Sequence, residues 1–78
     1  MSVVDYFLYF PAESASRAAE RLGNDGFETA IQPVPNQPDR RLVLAKKELE
    51  PSEDVDQVEE RLYAFAEEFG GDYDGYER

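Results

Sequence analysis

Neither histidine nor cysteine occurs in this chain. Their absence removes the usual general base and the strongest nucleophile of covalent catalysis. Four serines stand at positions 2, 14, 16 and 52, and none has an activating partner close in sequence. Only Lys46 or Lys47, brought beside one of them by the fold, would supply a lysine-assisted serine. With eighteen carboxylates in the chain, a pair of acids carries little meaning. Asp72, Asp74 and Glu77 are oxygen donors of the kind hard cations prefer. Their segment is too short for an EF-hand loop, and residues alternating along a strand can simply face water. The expectation is a non-catalytic chain, with no catalytic residue, no metal and no cofactor.

Eight basic residues against eighteen acidic ones leave a net charge of −10 on 78 residues. Phosphates would repel such a surface, so direct binding to nucleic acid is not expected. A basic protein surface, including one that itself binds RNA, would attract it. Solubility, or adaptation to a salty cytoplasm, accounts for the same charge. Without cysteine there is no disulfide or thiolate zinc site, which suits a reducing, cytoplasmic setting. The first residues show no basic segment leading into an apolar core, so no secretory signal is expected. No apolar run approaches the roughly 20 residues of a membrane span, so no membrane partner is expected either. The length fits one domain, residues 1–78, which would bury only about 60% of its unfolded surface.

The elements that must position any site follow from periodicity. Residues 3–10 are β-branched and aromatic, which predicts a strand. Alternation places Val4, Tyr6, Leu8 and Phe10 on one face and Val3, Asp5, Phe7 and Tyr9 on the other. Both faces are largely apolar, as in a central strand. Residues 12–24 read as a helix, with Ala15, Ala18, Ala19 and Leu22 at helical spacing. Gly23-Asn24-Asp25-Gly26 ends it. Phe27 to Gln32 reads as a second strand, with Phe27, Thr29 and Ile31 on one face. Three prolines predict a loop over 33–39. A third strand is expected from about Arg40 to Lys47, with Leu42 and Leu44 facing away from Val43 and Ala45. Glu48 to Ser52 reads as a linker. A second helix, from about Glu53 to Phe69 and capped by Ser52, carries Val55, Val58, Leu62, Phe65, Ala66 and Phe69 in helical register. Gly70-Gly71 stops it, and a last strand falls within 71–77. The order β-α-β-β-α-β predicts an α+β, ferredoxin-like arrangement: an antiparallel four-stranded sheet with two helices on one face.

That topology leaves one sheet face open, and Phe7 and Tyr9 belong to it. In RNA-recognition domains of the same topology, such aromatics stack on bases. Here the first strand lacks a basic field, although Arg40, Arg41, Lys46 and Lys47 fall on or beside the third strand. The expectation is that Phe7 and Tyr9 pack under a terminus or against a second subunit, in a homodimer through the open sheet face. On the second helix, Glu59, Glu60, Glu67 and Glu68 form an acidic ridge. The last two oppose the helix dipole.

Both ends of the chain resemble one family. The run Gly70-Gly71-Asp72-Tyr73-Asp74-Gly75-Tyr76-Glu77 is similar to the closing signature of the RraB-like regulators of ribonuclease E activity. Asp5-Tyr6-Phe7-Leu8-Tyr9-Phe10 looks like that family's first strand. Ala18, Leu22 and Gly26-Phe27-Glu28 extend the resemblance, while the family often has tryptophan where Tyr76 stands here. The resemblance implies a non-catalytic, cytoplasmic protein that binds an RNase E-type endoribonuclease and lowers RNA cleavage through protein contact. Tyr73, Asp74, Tyr76 and Glu77, with support from the acids of the second helix, are the residues expected to meet that partner. The other reading of the two tyrosines is packing, each completing the core with its hydroxyl at the rim. The rival function is a structural or interaction module with no nuclease target.

Overall fold

The protein is described by a computed structural model covering residues 2–78. Six elements follow in the expected order: β1 (Ser2–Pro11), α1 (Ala12–Asn24), β2 (Glu28–Val34), β3 (Gln37–Leu49), α2 (Val55–Glu68) and β4 (Asp72–Glu77). The strands form one sheet in the order β2-β3-β1-β4, with every neighbouring pair antiparallel. This is the α+β, ferredoxin-like arrangement the pattern called for. α1 lies over β2 and β3, and α2 lies over β4 and β1.

Strand β1 sits between β3 and β4 and sends one face into the core. Val4, Tyr6, Leu8 and Phe10 are each 0% exposed. They meet Ala15, Ala18 and Leu22 of α1, Val43 and Ala45 of β3, and Val55, Val58, Leu62 and Ala66 of α2. The small alanines of α1 let that helix settle close to the sheet. Complete burial of one valine or leucine contributes roughly 1.5–3 kcal/mol, so this one strand face carries a large share of the stability. Ser14 ties the helices together at one end, with its Oγ 3.3 Å from the carbonyl oxygens of both Pro11 and Phe69.

Both helices stop by the same device. The Phe27 amide donates to Leu22 O at 3.0 Å and the Gly26 amide to Gly23 O at 3.2 Å. At the end of α2 the Gly71 amide donates to Ala66 O at 2.8 Å and the Gly70 amide to Glu67 O at 3.2 Å. This is the paired pattern of a Schellman cap, which needs a left-handed residue after the helix. Gly26 (φ +98°) and Gly70 (φ +74°) supply it. Gly71 is constrained differently. A Cβ there would land on the Tyr9 carbonyl oxygen and within 2.9 Å of Phe10 ring carbons, so the turn into β4 passes directly against β1.

Three local expectations are corrected. The prolines at 33–39 do not make a loop: β2 runs through Pro33, β3 already includes Pro38, and only Pro35-Asn36 form the turn. Pro33 is tolerated because β2 is an edge strand, and Pro38 because the pairing skips register between Pro33 and Val34. Asn36, at φ +64°, takes the tight left-handed position of the turn. Second, β3 continues to Leu49, so the linker before α2 is displaced two residues toward the C-terminus, to 50–54. Third, α2 begins at Val55, and its cap is Asp54, whose Oδ1 accepts from the Gln57 amide at 2.8 Å. Asp54 outcompetes Ser52 because Glu53 is held out of the helix. Its carboxylate accepts from the Glu50 amide at 3.1 Å and lies 3.2 Å from Arg61 and 3.7 Å from Lys47. The Glu50 hydrogen bond first, then Lys47 and Arg61, hold the Glu53 carboxyl below its usual range.

The close approach at Gly71 is testable. Gly71→Ala should destabilise the protein by about 2–4 kcal/mol, since the methyl group meets backbone as well as a core ring. Gly70→Ala should cost only about 1–2 kcal/mol, the strain of a left-handed alanine. Urea unfolding of the two variants should keep that order, and equal midpoints would contradict it.

Candidate functional site

The closing strand β4 does not alternate regularly. Its register against β1 pairs Asp72 with Tyr9 and Tyr73 with Leu8, then Gly75 with Phe7, Tyr76 with Tyr6 and Glu77 with Asp5. Asp74 is the extra residue of a β-bulge, followed by Gly75 at φ +115°. The bulge restarts the alternation. Tyr73 and Tyr76, three residues apart, therefore both lie opposite buried β1 residues, on the helix-covered side of the sheet.

The two tyrosines part company there. Tyr73 is 9% exposed, and its hydroxyl donates to Glu59 Oε2 at 2.6 Å. It completes the core with its polar tip at the rim, so its side chain is not free to meet a partner. Burial first, then the bond to Glu59, raises its pKa far above the ordinary tyrosine value. Tyr76 is 44% exposed and leans on Tyr6, their ring centroids 6.2 Å apart. Asp74 and Glu77 are exposed beside it.

Sequence reasoning missed Tyr63. It lies on α2 at 60% exposure, edge-on to Tyr73 at 4.8 Å. A large aromatic one residue off the apolar stripe of an amphipathic helix was the available signal. Tyr63 and Tyr76 bracket the buried Tyr73 and give this edge two accessible rings.

Charge is distributed very unevenly around these rings. Residues 1–47 hold six acids and six bases and are neutral, whereas residues 48–77 hold twelve acids and one base. The fold places that second segment in the end of β3, in α2 with its entry loop, and in β4, and α2 packs beside β4 at one lateral edge. Among the described residues, only Glu53 and Asp72 of those twelve acids form ion pairs. The acidic ridge expected on α2 is divided: Glu59 meets Tyr73 of β4, whereas Glu68 lines a groove with Arg17 and Arg21 of α1. No three carboxylates come together as a metal site among the described residues.

The open sheet face is a separate surface. Phe7 is half-buried there between Leu44 on one side and Gly75 on the other. With Leu44 and Ala30 it floors a shallow groove of about 300 Å³ rimmed by Asp5, Glu28 and Lys46. Tyr9 is already covered: the Arg40 guanidinium carbon lies 5.5 Å from its ring centroid, and Arg40 is held by Asp72 at 2.9 Å. The face therefore does not unite Phe7 and Tyr9 into one free aromatic platform. Neither residue adjoins the exposed rings of Tyr63 and Tyr76, which lie on the helix-covered side.

The model of the family "regulator of ribonuclease activity B", RraB, matches residues 1–77. The chain belongs to the RraB family. No curated protein and no solved structure matches it significantly. The family assignment gives the protein a regulatory role toward ribonuclease activity and implies a protein partner. None of the helices among the described residues is long and apolar enough to cross a membrane.

Two hydroxyls under the acidic edge give opposite predictions. Tyr6 is 0% exposed, and its hydroxyl has no hydrogen-bond partner among the described residues. Burial first, then the nearby Glu59 and Glu53 charges, raise its pKa. Tyr73→Phe should cost about 1–2 kcal/mol by stranding Glu59, while Tyr6→Phe should be neutral or stabilising. Both tyrosines are held protonated in the folded state. Above the unfolded value near 10 the unfolded chain releases protons that the folded chain keeps. Stability is therefore fully present below pH 10 and declines above it, by up to about 1.4 kcal/mol per pH unit for each group. Unfolding midpoints measured from pH 8 upward should be flat and then drop, and Tyr73→Phe should shallow the drop.

Proposed function

We propose that this RraB-family chain binds an RNase E-type endoribonuclease through the acidic α2–β4 edge and lowers its RNA cleavage, without cutting RNA itself. The observation that carries this reading is the concentration of nearly all uncompensated charge on the same edge as the two exposed tyrosines. Exposed Asp74, Tyr76 and Glu77, with Glu60, Glu67 and Tyr63 of α2, are the contact residues. The matching surface is a basic segment of the nuclease, of the kind that otherwise engages RNA. Arginine and lysine side chains there would pair with the carboxylates and stack on the tyrosine rings. Occupying that segment denies RNA its electrostatic foothold. Tyr73 contributes indirectly, by holding Glu59 and seating Tyr63.

The purified chain should slow cleavage of an RNA substrate by an RNase E-type nuclease and bind that enzyme more weakly as salt rises. The double variant Asp74→Lys with Glu77→Lys should weaken binding at least tenfold. Its stability should change by no more than about 0.5 kcal/mol, because both positions are exposed. Undiminished binding by that variant would move the contact off this edge. Absence of any binding or inhibition by the wild-type chain would sink the nuclease assignment.

A further inference from the structure

The sheet has two edges, and they are built very differently. Edge β4 carries three acids and a bulge, both of which discourage pairing with another strand. Edge β2 has no bulge over Glu28–Gln32 and a single acid, Glu28, at its start. It presents Thr29, Ala30 and Ile31 in regular register with β3, no lysine, and Ile31 at 43% exposure. Its one guard, Pro33, lies beyond that stretch. A regular edge with one charge at its end is a template for a further strand.

We infer that β2 pairs with β2 of a second copy of this chain, joining two sheets into one of eight strands. Charge selects this edge and this occupant. Pairing through β4 would bring two segments of twelve acids and one base within about 4.8 Å of each other, one strand spacing. Pairing through β2 puts the two β4 strands at opposite ends of the joined sheet, seven spacings or roughly 34 Å apart. That distance exceeds several Debye lengths of about 8 Å at physiological salt. The half of the chain that holds β2 is neutral, so the meeting surfaces themselves do not repel.

The register follows from Pro33. A proline sits in an edge strand with its donor-less nitrogen turned to solvent, so Thr29 and Ile31 share that outward backbone orientation. A two-fold axis through Ala30 then sets Thr29 opposite Ile31 of the partner, and Ile31 opposite Thr29 of the partner. These two pairs exchange four backbone hydrogen bonds, and Ala30 meets its own copy in a non-hydrogen-bonded pair. Glu28 falls opposite Gln32 of the partner, so no like charges face each other. Both Pro33 residues stay outside the ladder. Ile31, left open at the edge of a single copy, gains a β-branched cross-strand neighbour.

The lack of native cysteine makes the register directly testable. The Cα atoms of a non-hydrogen-bonded antiparallel pair lie about 4.5 Å apart, within disulfide range. Ala30→Cys should form an intermolecular disulfide in a glutathione buffer, while Asp74→Cys on the opposite edge and Phe7→Cys on the open face should not. In sedimentation equilibrium the wild-type chain should pass from monomer to dimer between low micromolar and millimolar concentration. Ile31→Lys, a charged guard on the edge, should raise the dimer dissociation constant at least tenfold. Added salt should leave the dimer in place while weakening the nuclease contact, which keeps this inference separable from the proposed function. A chain that stays monomeric throughout that range, or Ala30→Cys cross-linking no faster than Asp74→Cys, would overturn it. Preferential cross-linking at Phe7→Cys would also overturn it, by placing the contact on the sheet face.

Discussion

The fold depends on burying one face of β1. Val4, Tyr6, Leu8 and Phe10 are covered by both helices and flanked by strands on both sides. An edge strand could not bury four such residues completely, because an edge lacks cover on one flank. Placing β1 centrally forces β3 and β4 to its two sides, and that in turn sends α1 over β3 and α2 over β1. In so short a chain no second core can compensate. The acidic edge and its tyrosines are thus positioned by the buried face of β1: Tyr6 supports Tyr73 and Tyr76, and Phe10 supports Phe65 and Phe69.

Much of this was legible from period alone. The inward set of β1, the apolar stripes of both helices and the opposed faces of β3 all emerge from spacings of two and of three to four. Leu42 and Leu44 do face away from Val43 and Ala45. The proline-rich segment was not legible, because a proline's effect depends on whether its nitrogen faces a neighbouring strand or water. The cap of α2 was misplaced for a similar reason. Ser52 and Asp54 are both competent caps, and what decides between them is Glu53, whose partners Lys47 and Arg61 are distant in sequence.

Of the closing residues, Asp74, Tyr76 and Glu77 are exposed, whereas Tyr73 takes the packing place that was its other reading. A strict alternation cannot place residues 73 and 76 on one face, and the bulge that does so has no signature in a run already rich in glycine and aspartate. Tyr9 was obscured by Arg40, and the pairing of Arg40 with Asp72 becomes visible only once β3 and β4 flank β1. The sheet order brings α2 and β4 together at a single edge, after the turn Phe69-Gly70-Gly71.

The uneven charge also matters before any contact is made. A body neutral on one side and strongly negative on the other is an electric dipole, and a basic partner's field exerts a torque on it as well as an attraction. Approaching such a partner, the molecule would be turned with α2 and β4 leading. Much of the orientational search that slows ordinary association would be completed during diffusion. The same torque points β2 away from the partner. An arrival oriented in this way leaves the trailing edge of the sheet open to solvent, at the far side of the molecule from the encounter.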